Sequence, residues 1–430
     1  MLPKTLSAVL WAAAIACAQS DDGAYFHKNA YVIPNASAFP TGIAEGPDGA
    51  MWFTESGCYQ GQCYIGRITS GGTLTEYAVP TQYASPNSIT AGPDGALWFT
   101  ESGAGQIGRI TRAGAVTEYP VPGSNSPNVI TVGPDGALWF TEAHGGLGRI
   151  TTEGAITQYP VSITTANQFL GGIATGPDGA LWFTWSGYNG AGFAGVASMT
   201  TAGTVTSYQS PASHGPFNLA AEITAGSDGA LWFADTSGNL WRITTSGVMT
   251  QYPVPERPSG GGTGPVTLGP DGAVWFTVTC NPCATDWIGR VTTDGVFTEY
   301  PTSRQGTLGG IATGPGGSLW TTLTGFGLEI HSGLWRTPAC GSGMNASYAN
   351  GTVTASFDLS TATAATWTVS IGGTTKIQKS LPRVAPPRAF TLHFDNIASQ
   401  GDVLVESELA DTSGELLCAE WKTVNTGSAP

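Results

Sequence analysis

A ten-residue motif that returns seven times constrains the fold of this chain more than any other feature. Its clearest copy, Gly92–Glu101, reads Gly-Pro-Asp-Gly-Ala-Leu-Trp-Phe-Thr-Glu. The proline and the second glycine suit a tight turn, and the apolar run that follows is typical of a β-strand. The first glycine of the motif recurs at intervals of about 41 to 50 residues, the signature of a repeat architecture. Its seven positions are Gly46, Gly92, Gly133, Gly176, Gly226, Gly269 and Gly314.

Each repeat holds four candidate strands. In the second repeat they cover residues 88–91, 97–101, 107–111 and 116–121. A unit of this size cannot bury both of its faces alone, but it can do so by stacking on copies of itself around an axis. The sequence therefore predicts an all-β fold, a seven-bladed β-propeller of four-stranded blades. The strand tryptophans are expected to be core residues: Trp52, Trp98, Trp139, Trp182, Trp232, Trp275 and Trp320.

The chain divides into four parts. Residues 1–18 are predicted to be a signal peptide, because Lys4 precedes an apolar run that ends in Ala16-Cys17-Ala18. A lipid anchor at Cys17 is the alternative. Residues 19–30 form an N-terminal segment, 31–337 the propeller, and 338–430 a small β-sandwich of immunoglobulin-like type. Tyr31-Val32-Ile33 repeats the fourth-strand pattern, which the last blade lacks, so it is expected to complete that blade.

Composition limits the partners. The net charge is −14 and only 11% of the residues are charged, which argues against binding to nucleic acid. Beyond the leader, no stretch reaches the length of a membrane span. We expect a secreted or periplasmic monomer that binds a small molecule or glycan at the propeller face.

Recurring charges and cysteines have structural interpretations. An arginine in the third strand and an aspartate in the turn recur in most repeats, which suggests Arg–Asp pairing. The spacing of the cysteines predicts disulfides Cys58–Cys63, Cys280–Cys283 and Cys340–Cys418, as expected for an exported protein. A redox motif at residues 280–283, or a zinc site shared by the first two pairs, remains an alternative.

The repeated motif resembles that of the virginiamycin B lyases, also called streptogramin B lyases. The match rests on Gly-Pro-Asp-Gly-x-Leu-Trp-Phe-Thr-Glu, Ile-Gly-Arg-Ile-Thr and Thr-Glu-Tyr-Pro, and it covers roughly residues 30–337. The resemblance implies a seven-bladed propeller. It also implies a lyase that opens an ester of a cyclic depsipeptide antibiotic by elimination, with a histidine base and a divalent metal, usually magnesium.

The residues of that lyase site are not matched. The resemblance places the two key histidines at Gly264 and Gly309, the acidic site residues of the last blade at Thr307 and Leu323, and a tyrosine at Thr41. Elimination needs a base with a pKa near neutrality, and this pattern supplies none. The slot of the key histidines holds, in the seven repeats, Thr41, Asn87, Asn128, Gly171, Ala221, Gly264 and Gly309.

Other residues on the same face are candidates for chemistry. The weak candidates for a base are the loop histidines His144 and His214. The candidate ligand-binding residues are Asn87, Asn128, Trp185 and Asp235.

Three acids end the second strands of successive repeats: Glu55, Glu101 and Glu142. They are expected to point toward the mouth of the channel, where carboxylates could hold magnesium or calcium, with Asn87, Asn128 and water. The alternative is that each carboxylate accepts hydrogen bonds from its own loop.

Two classes of function follow. The absence of the histidine pair favours an exported ligand-binding or recognition module over an active streptogramin lyase. The alternative is a lyase or hydrolase that acts on a lactone, an ester or a polysaccharide at the same face.

Overall fold

The computed structural model describes most of the propeller region and, after residue 338, the strands alone. The described residues are 31–33, 38–69, 72–123, 126–143, 145–163, 168–187, 194–210, 222–235, 238–254, 262–279, 286–301, 307–324, 332–337, 345–349, 352–359, 364–371, 377–384, 388–394, 402–410 and 416–425. The predicted signal peptide and N-terminal segment, residues 1–30, lie outside them.

The part up to residue 337 contains seven four-stranded antiparallel sheets, which we call blades. After the short strand β1 (Tyr31–Val32), six blades each use four consecutive strands. Their bounds are β2 Pro40–Glu45, β3 Met51–Tyr59, β4 Gln62–Ile68, β5 Leu74–Ala78; β6 Pro86–Ala91, β7 Leu97–Glu101, β8 Gln106–Ile110, β9 Val116–Pro120; β10 Pro127–Val132, β11 Leu138–Glu142, β12 Gly146–Ile150, β13 Ile156–Pro160; β14 Gln168–Thr175, β15 Leu181–Gly187, β16 Ala194–Met199, β17 Val205–Gln209; β18 Ile223–Ala225, β19 Ala230–Ala234, β20 Asn239–Thr244, β21 Met249–Pro253; β22 Gly262–Leu268, β23 Val274–Thr279, β24 Trp287–Val291, β25 Phe297–Pro301.

The seventh blade closes the ring as predicted. It contains β26 (Thr307–Thr313), β27 (Leu319–Thr324) and β28 (Ser332–Thr337), with a 3-10 turn at Pro315–Gly317. Its fourth strand is β1, where Tyr31 pairs with Leu334. The innermost strands contact one another in cyclic order, and β26 contacts β2. The expected outer strand from the N-terminal segment is therefore confirmed.

Two faces follow from the antiparallel pairing. The turn from first to second strand and the hairpin from third to fourth strand lie at one end of each blade. The loop from second to third strand and the connection to the next blade lie at the other end, which we call the loop face.

A turn aspartate organises six of the seven blades. Asp94 accepts hydrogen bonds from Trp98 Nε1 at 3.1 Å and from Arg109 Nε at 2.7 Å. Burial alone would raise the pKa of Asp94, but these hydrogen bonds outweigh it and hold the pKa below its usual value. The expected Arg–Asp pairing is thus confirmed, and it lies within a blade. The same pairing joins Arg67 to Asp48, Arg149 to Asp135, Arg242 to Asp228 and Arg290 to Asp271.

A tyrosine that stacks on the tryptophan of its own blade also contacts a glycine turn of the next blade. The Tyr119 ring stacks on Trp98 with 5.6 Å between centroids. Its other side faces Gly154 of the next blade, where a Cβ atom would overlap the ring. Gly154 also has a φ of +91°, which favours glycine. The seven strand tryptophans are fully buried, as the sequence predicts.

The threonine of the second strand bridges neighbouring blades. Thr100 Oγ1 accepts a hydrogen bond from the Ser88 amide at 3.0 Å and donates to the Asn128 carbonyl at 2.8 Å. The bridge sits where the pairing of β6 with β7 shifts register between Pro86 and Ile89. Equivalent donations run from Thr54 to Asn87 (2.7 Å), Thr141 to Gly171 (2.8 Å), Thr277 to Gly309 (3.5 Å) and Thr322 to Thr41 (3.1 Å).

After residue 338 the chain forms two more antiparallel sheets. One has the order β29 (Asn345–Ala349), β30 (Thr352–Leu359), β33 (Arg388–Phe394); the other has the order β32 (Ile377–Val384), β31 (Ala364–Ile371), β34 (Asp402–Ala410), β35 (Leu416–Asn425). β29 contacts β35 of the other sheet. The two sheets agree with a small all-β domain, while its immunoglobulin-like type and the domain limits stay predictions.

One predicted disulfide is confirmed. Cys58 and Cys63 are bonded, with Cα atoms 4.3 Å apart. Residues 280, 283 and 340, which complete the other predicted pairs, lie outside the described residues. Within the described part of the chain, no helix has the length and apolar character that a membrane span requires.

The threonine bridge gives a stability prediction. Thr100→Val removes the hydroxyl and leaves the Ser88 amide and Asn128 carbonyl without this partner, which should cost about 1–3 kcal/mol. The melting temperature should fall measurably. Thr117→Val, on the exposed side of β9, is the matched control and should change little. Equal shifts in both variants would contradict a bridging role.

Candidate functional site

A ring of innermost strands carries the slot in which the family resemblance places histidines. The half-buried Asn87 and Asn128 occupy it in the second and third blades. Asn87 Nδ2 donates to Asn128 Oδ1 at 2.9 Å, and Asn128 Nδ2 donates to the Leu170 carbonyl at 3.3 Å. The structure therefore brings these two candidates together in a chain of amides that crosses three blades.

The amide chain leaves one acceptor unused. No described residue donates a hydrogen bond to Asn87 Oδ1, while both amide nitrogens of the pair have acceptors. This oxygen can receive a hydrogen bond from a neutral ligand. A primary amide does not take up a proton near neutral pH, so the pair offers recognition and no general base.

Two glycines fill the slots of the key histidines. A Cβ atom at Gly264 would overlap Thr277 Oγ1, and one at Gly309 would overlap Thr322 Oγ1. These are the bridging threonines of the sixth and seventh blades, so their hydroxyls occupy the space that a side chain would need. A histidine at either slot would require the bridge to shift.

The position of an acidic site residue is also unsuited to metal binding. Leu323 is buried in an apolar cluster with Leu308, Ile311 and Leu319. Neither leucine nor glycine supplies an oxygen or nitrogen side-chain ligand. Gly264, Gly309 and Leu323 therefore supply no side-chain ligand for a magnesium ion.

The side chains of Asp235 and Trp185 are buried within their blades and are not exposed on the surface. Asp235 accepts hydrogen bonds from the Asn239 amide at 2.9 Å, Asn239 Nδ2 at 2.8 Å and Trp241 Nε1 at 2.8 Å. It holds the hairpin of the fifth blade. Trp185 packs in a core cluster with Trp139 and Leu170, and its buried indole N–H has no hydrogen-bond partner among the described residues.

Two of the three acids, Glu101 and Glu142, contact the outer strand of their own blade. Glu142 Oε1 accepts a hydrogen bond from Gln158 Nε2 of the outer strand β13 at 2.6 Å. Glu55, Glu101 and Glu142 are all almost completely buried. The described residues include no group of three or more His, Cys, Asp or Glu side chains arranged to hold a metal ion. The expected metal-binding group of three acids is therefore not found among the described residues, and Glu142 is held by the outer strand of its own blade.

The second blade contains a carboxyl pair at this position. Burial, together with the nearby charge of Glu118 and a hydrogen bond with it, raises the pKa of Glu101 to about 8. Glu118 itself accepts hydrogen bonds from the Thr81 amide and hydroxyl, each at 2.9 Å. A protonated Glu101 carboxyl can donate a hydrogen bond to Glu118. In the third blade Gln158 supplies the equivalent donor.

A glycine in the third strand explains how the acid reaches the outer strand. Gly108 has no side chain, and a Cβ there would lie 2.7 Å from Glu101 Oε1. The acid thus crosses over glycine to reach the outer strand. The sequence signals were Glu118 and Gln158, the residues paired with the third-strand glycines Gly108 and Gly148, and our sequence analysis missed them.

The two candidate bases, His144 and His214, lie outside the described residues. Their role as a base stays a prediction.

Comparison with known proteins decides the family. The sequence model of the virginiamycin B lyase family matches residues 20–192 and 162–327. The chain belongs to the virginiamycin B lyase family. No curated protein matches it.

Solved structures agree with membership in the virginiamycin B lyase family. A streptogramin B lyase is 30% identical, with a TM-score of 0.60 over 72% of this chain and 97% of its own. A virginiamycin B lyase from Staphylococcus aureus is 31% identical, with the same TM-score over 72% of this chain and 99% of its own. A catalytically inactive variant of that lyase, with quinupristin, matches at 30% identity, a TM-score of 0.60, and 72% and 99% coverage.

The Glu101–Glu118 pair gives a pH prediction. Because the folded-state pKa of Glu101 lies above its unfolded value of about 4.5, the folded protein keeps a proton that the unfolded chain loses, and stability falls as the pH rises from about 5 to 8. Glu101→Gln keeps a neutral donor toward Glu118. It should flatten this part of the curve and raise the melting temperature at pH 8–9 by on the order of 2–4 °C.

Thermal melting between pH 5 and 9 checks this result. Glu153→Gln, in an exposed turn, is the control and should retain the slope of the unchanged protein. An identical slope in Glu101→Gln would show that the carboxyl pair does not titrate in this range.

Proposed function

We propose that this member of the virginiamycin B lyase family is an exported ligand-binding module that does not linearise streptogramin B antibiotics. The observation that carries the proposal is the filling of both histidine slots. Gly264 and Gly309 stand there, and the hydroxyls of Thr277 and Thr322 take up the side-chain space.

The chemistry of elimination supports the proposal. A general base at the slot would contribute roughly 10²- to 10⁴-fold to the rate. The described slots offer only glycine, the Thr41 hydroxyl and the amides of Asn87 and Asn128, none of which is a base near neutral pH. The unsuitable Leu323 also argues against a Lewis acid held in the manner of the family.

Binding without catalysis has support from a relative. A catalytically inactive virginiamycin B lyase has been solved with quinupristin, so in that protein a ligand is held without turnover. Here the amide chain of Asn87 and Asn128 is neutral and polar, which suits a small molecule or glycan with hydroxyl or amide groups.

Export has support from the confirmed disulfide. Cys58–Cys63 closes a short hairpin on the loop face, and such bonds persist in oxidising compartments. The signal-peptide pattern of residues 1–18 points the same way.

The alternative is a lyase or hydrolase on a lactone, ester or polysaccharide, and family membership is the observation that favours it. It requires a relocated base, for which His144 and His214 are the candidates.

The proposal predicts no streptogramin B linearisation above background. The purified protein is incubated with a streptogramin B antibiotic and magnesium, and the ring-opened product is measured by mass spectrometry. An authentic streptogramin B lyase serves as the positive control. Turnover lost in His144→Ala or His214→Ala would establish the alternative, and turnover retained in both variants would place the base elsewhere; either result refutes the proposal.

Export predicts three disulfides in secreted material. Peptide mapping without reduction should find Cys58 linked to Cys63, Cys280 to Cys283, and Cys340 to Cys418. Free thiols at all six positions would refute both the pairing and the compartment.

A further inference from the structure

Three exposed aromatic side chains mark the loop face of the first two blades. Among the described residues, the large hydrophobic side chains that are exposed are Phe39, Tyr59, Tyr83, Val248 and Val296. The two valines lie in hairpins between third and fourth strands, at the opposite face. We call Phe39, Tyr59 and Tyr83 the aromatic platform; the tyrosines are 57% and 65% exposed.

The platform is held by short-range connections between adjacent loops. Tyr59 lies in the hairpin that the Cys58–Cys63 disulfide closes. The Tyr83 amide donates to the Gly61 carbonyl of this hairpin at 2.8 Å. A Cβ atom at Gly61 would lie 3.1 Å from the Tyr83 ring, so glycine allows the ring to rest on the hairpin.

The neighbouring blade and the chain entry complete the support. The Gly103 amide, in the second blade, donates to the Ala84 carbonyl at 3.0 Å. The Phe39 carbonyl accepts hydrogen bonds from the Ser56 amide at 3.1 Å and its hydroxyl at 2.8 Å. The backbone of the platform is therefore fixed before a ligand arrives, which lowers the entropic cost of binding.

Backbone strain is concentrated at the same face. Positive φ angles outside glycine occur, within the described residues, at Phe39 (42°), Gln60 (51°), Tyr83 (55°), Ser85 (48°) and Ser126 (48°). All five lie in loops of the loop face, and bulky residues rarely adopt this conformation. Such strain persists where the surrounding structure enforces it, and it concentrates at binding sites.

The platform carries no charge. Residues 38–41, 56–63, 79–86 and 102–106 contain no Asp, Glu, Lys or Arg, although the chain as a whole has a net charge of −14. Each exposed tyrosine instead has an exposed glutamine beside it, Gln60 next to Tyr59 and Gln82 next to Tyr83. Gln60 Nε2 donates to Tyr59 Oη at 3.2 Å.

We propose that the aromatic platform binds a neutral oligosaccharide or polysaccharide chain. The apolar faces of sugar rings stack on tyrosine, while the phenol and amide groups bond to sugar hydroxyls. An ionic ligand would lack a countercharge, and a purely apolar partner would leave the exposed amides of Gln60 and Gln82 without hydrogen bonds. The inference rests on the proposed function, since it gives the binding module its ligand class and places the site at the edge of the loop face.

The test uses the full chain and a panel of neutral hexasaccharides, namely cello-, laminari-, xylo- and mannohexaose. Isothermal titration calorimetry should detect saturable binding of at least one. Tyr59→Ala and Tyr83→Ala should each weaken it about tenfold or more, as expected for exposed aromatic anchors. Val248→Ala, an exposed apolar side chain on the opposite face, should bind as the unchanged protein does. Circular dichroism confirms that each variant is folded.

Absence of binding to every neutral hexasaccharide at millimolar concentration would overturn the inference. Binding that survives the double variant Tyr59→Ala/Tyr83→Ala would do the same, as would tighter binding to the anionic oligogalacturonate than to any neutral member. The streptogramin assay, run on the same samples, separates the two proposals. Linearisation refutes the proposed function whatever the platform binds, and failure to bind glycans without linearisation refutes only the platform.

Discussion

The blades depend on the hydrogen bonds that the turn aspartate accepts. Asp94 binds the indole of Trp98 and the guanidinium of Arg109, so one side chain connects the turn with the second and third strands. Stacking of Tyr119 on Trp98 adds the fourth strand. A buried tryptophan contributes a large apolar surface, but its N–H needs an acceptor, and the aspartate provides it. The seventh blade preserves this requirement with another group, because Ser318 Oγ accepts the Trp320 indole at 3.0 Å.

The hydrogen bonds within a blade do not hold it to its neighbours. Two kinds of contact between blades do this. On the outer side, a tyrosine of one blade packs under a glycine turn of the next, as Tyr119 does with Gly154. On the inner side, threonine hydroxyls cross from blade to blade, and Thr322 reaches Thr41 to close the circle. The outer contact is apolar and the inner one polar, which suits strands that surround a channel. The N-terminal strand β1 then completes the last sheet and removes its open edge.

Much of this architecture could be predicted from the sequence because it repeats. The repeat period, the turn, the tryptophan core and the closing strand can each be recognised in the sequence. Seven copies of the motif reduce the ambiguity of the strand assignment in any single copy. The predicted orientation of Glu101 toward the channel mouth differs from the structure for a physical reason. Strand position fixes the end of the blade at which a residue lies, whereas alternation fixes the side it faces. Leu97, Phe99 and Glu101 share a side, so the acid follows the buried phenylalanine between blades. Charge alone suggested exposure, and the pairing with Glu118 depends on the neighbouring strand.

For the candidate site, the sequence predicts only which residues differ from the family pattern. The family resemblance places histidines at Gly264 and Gly309, but the sequence does not show what occupies the space beside these glycines. The structure places there the hydroxyls of Thr277 and Thr322. The same hydroxyls link the sixth blade to the seventh and the seventh to the first.

At Gly264 and Gly309 a side-chain Cβ atom would overlap these hydroxyls. The slots of the first three blades, in contrast, hold Thr41, Asn87 and Asn128 beside intact bridges. A side chain at either glycine would therefore require the local geometry of the bridge to adjust. Binding of a ligand at the amide chain of Asn87 and Asn128, or at the aromatic platform, would leave these bonds in place. The recurring turn, tryptophan and tyrosine contacts lie away from the slots, so the residues in the slots can change while the scaffold stays that of the family.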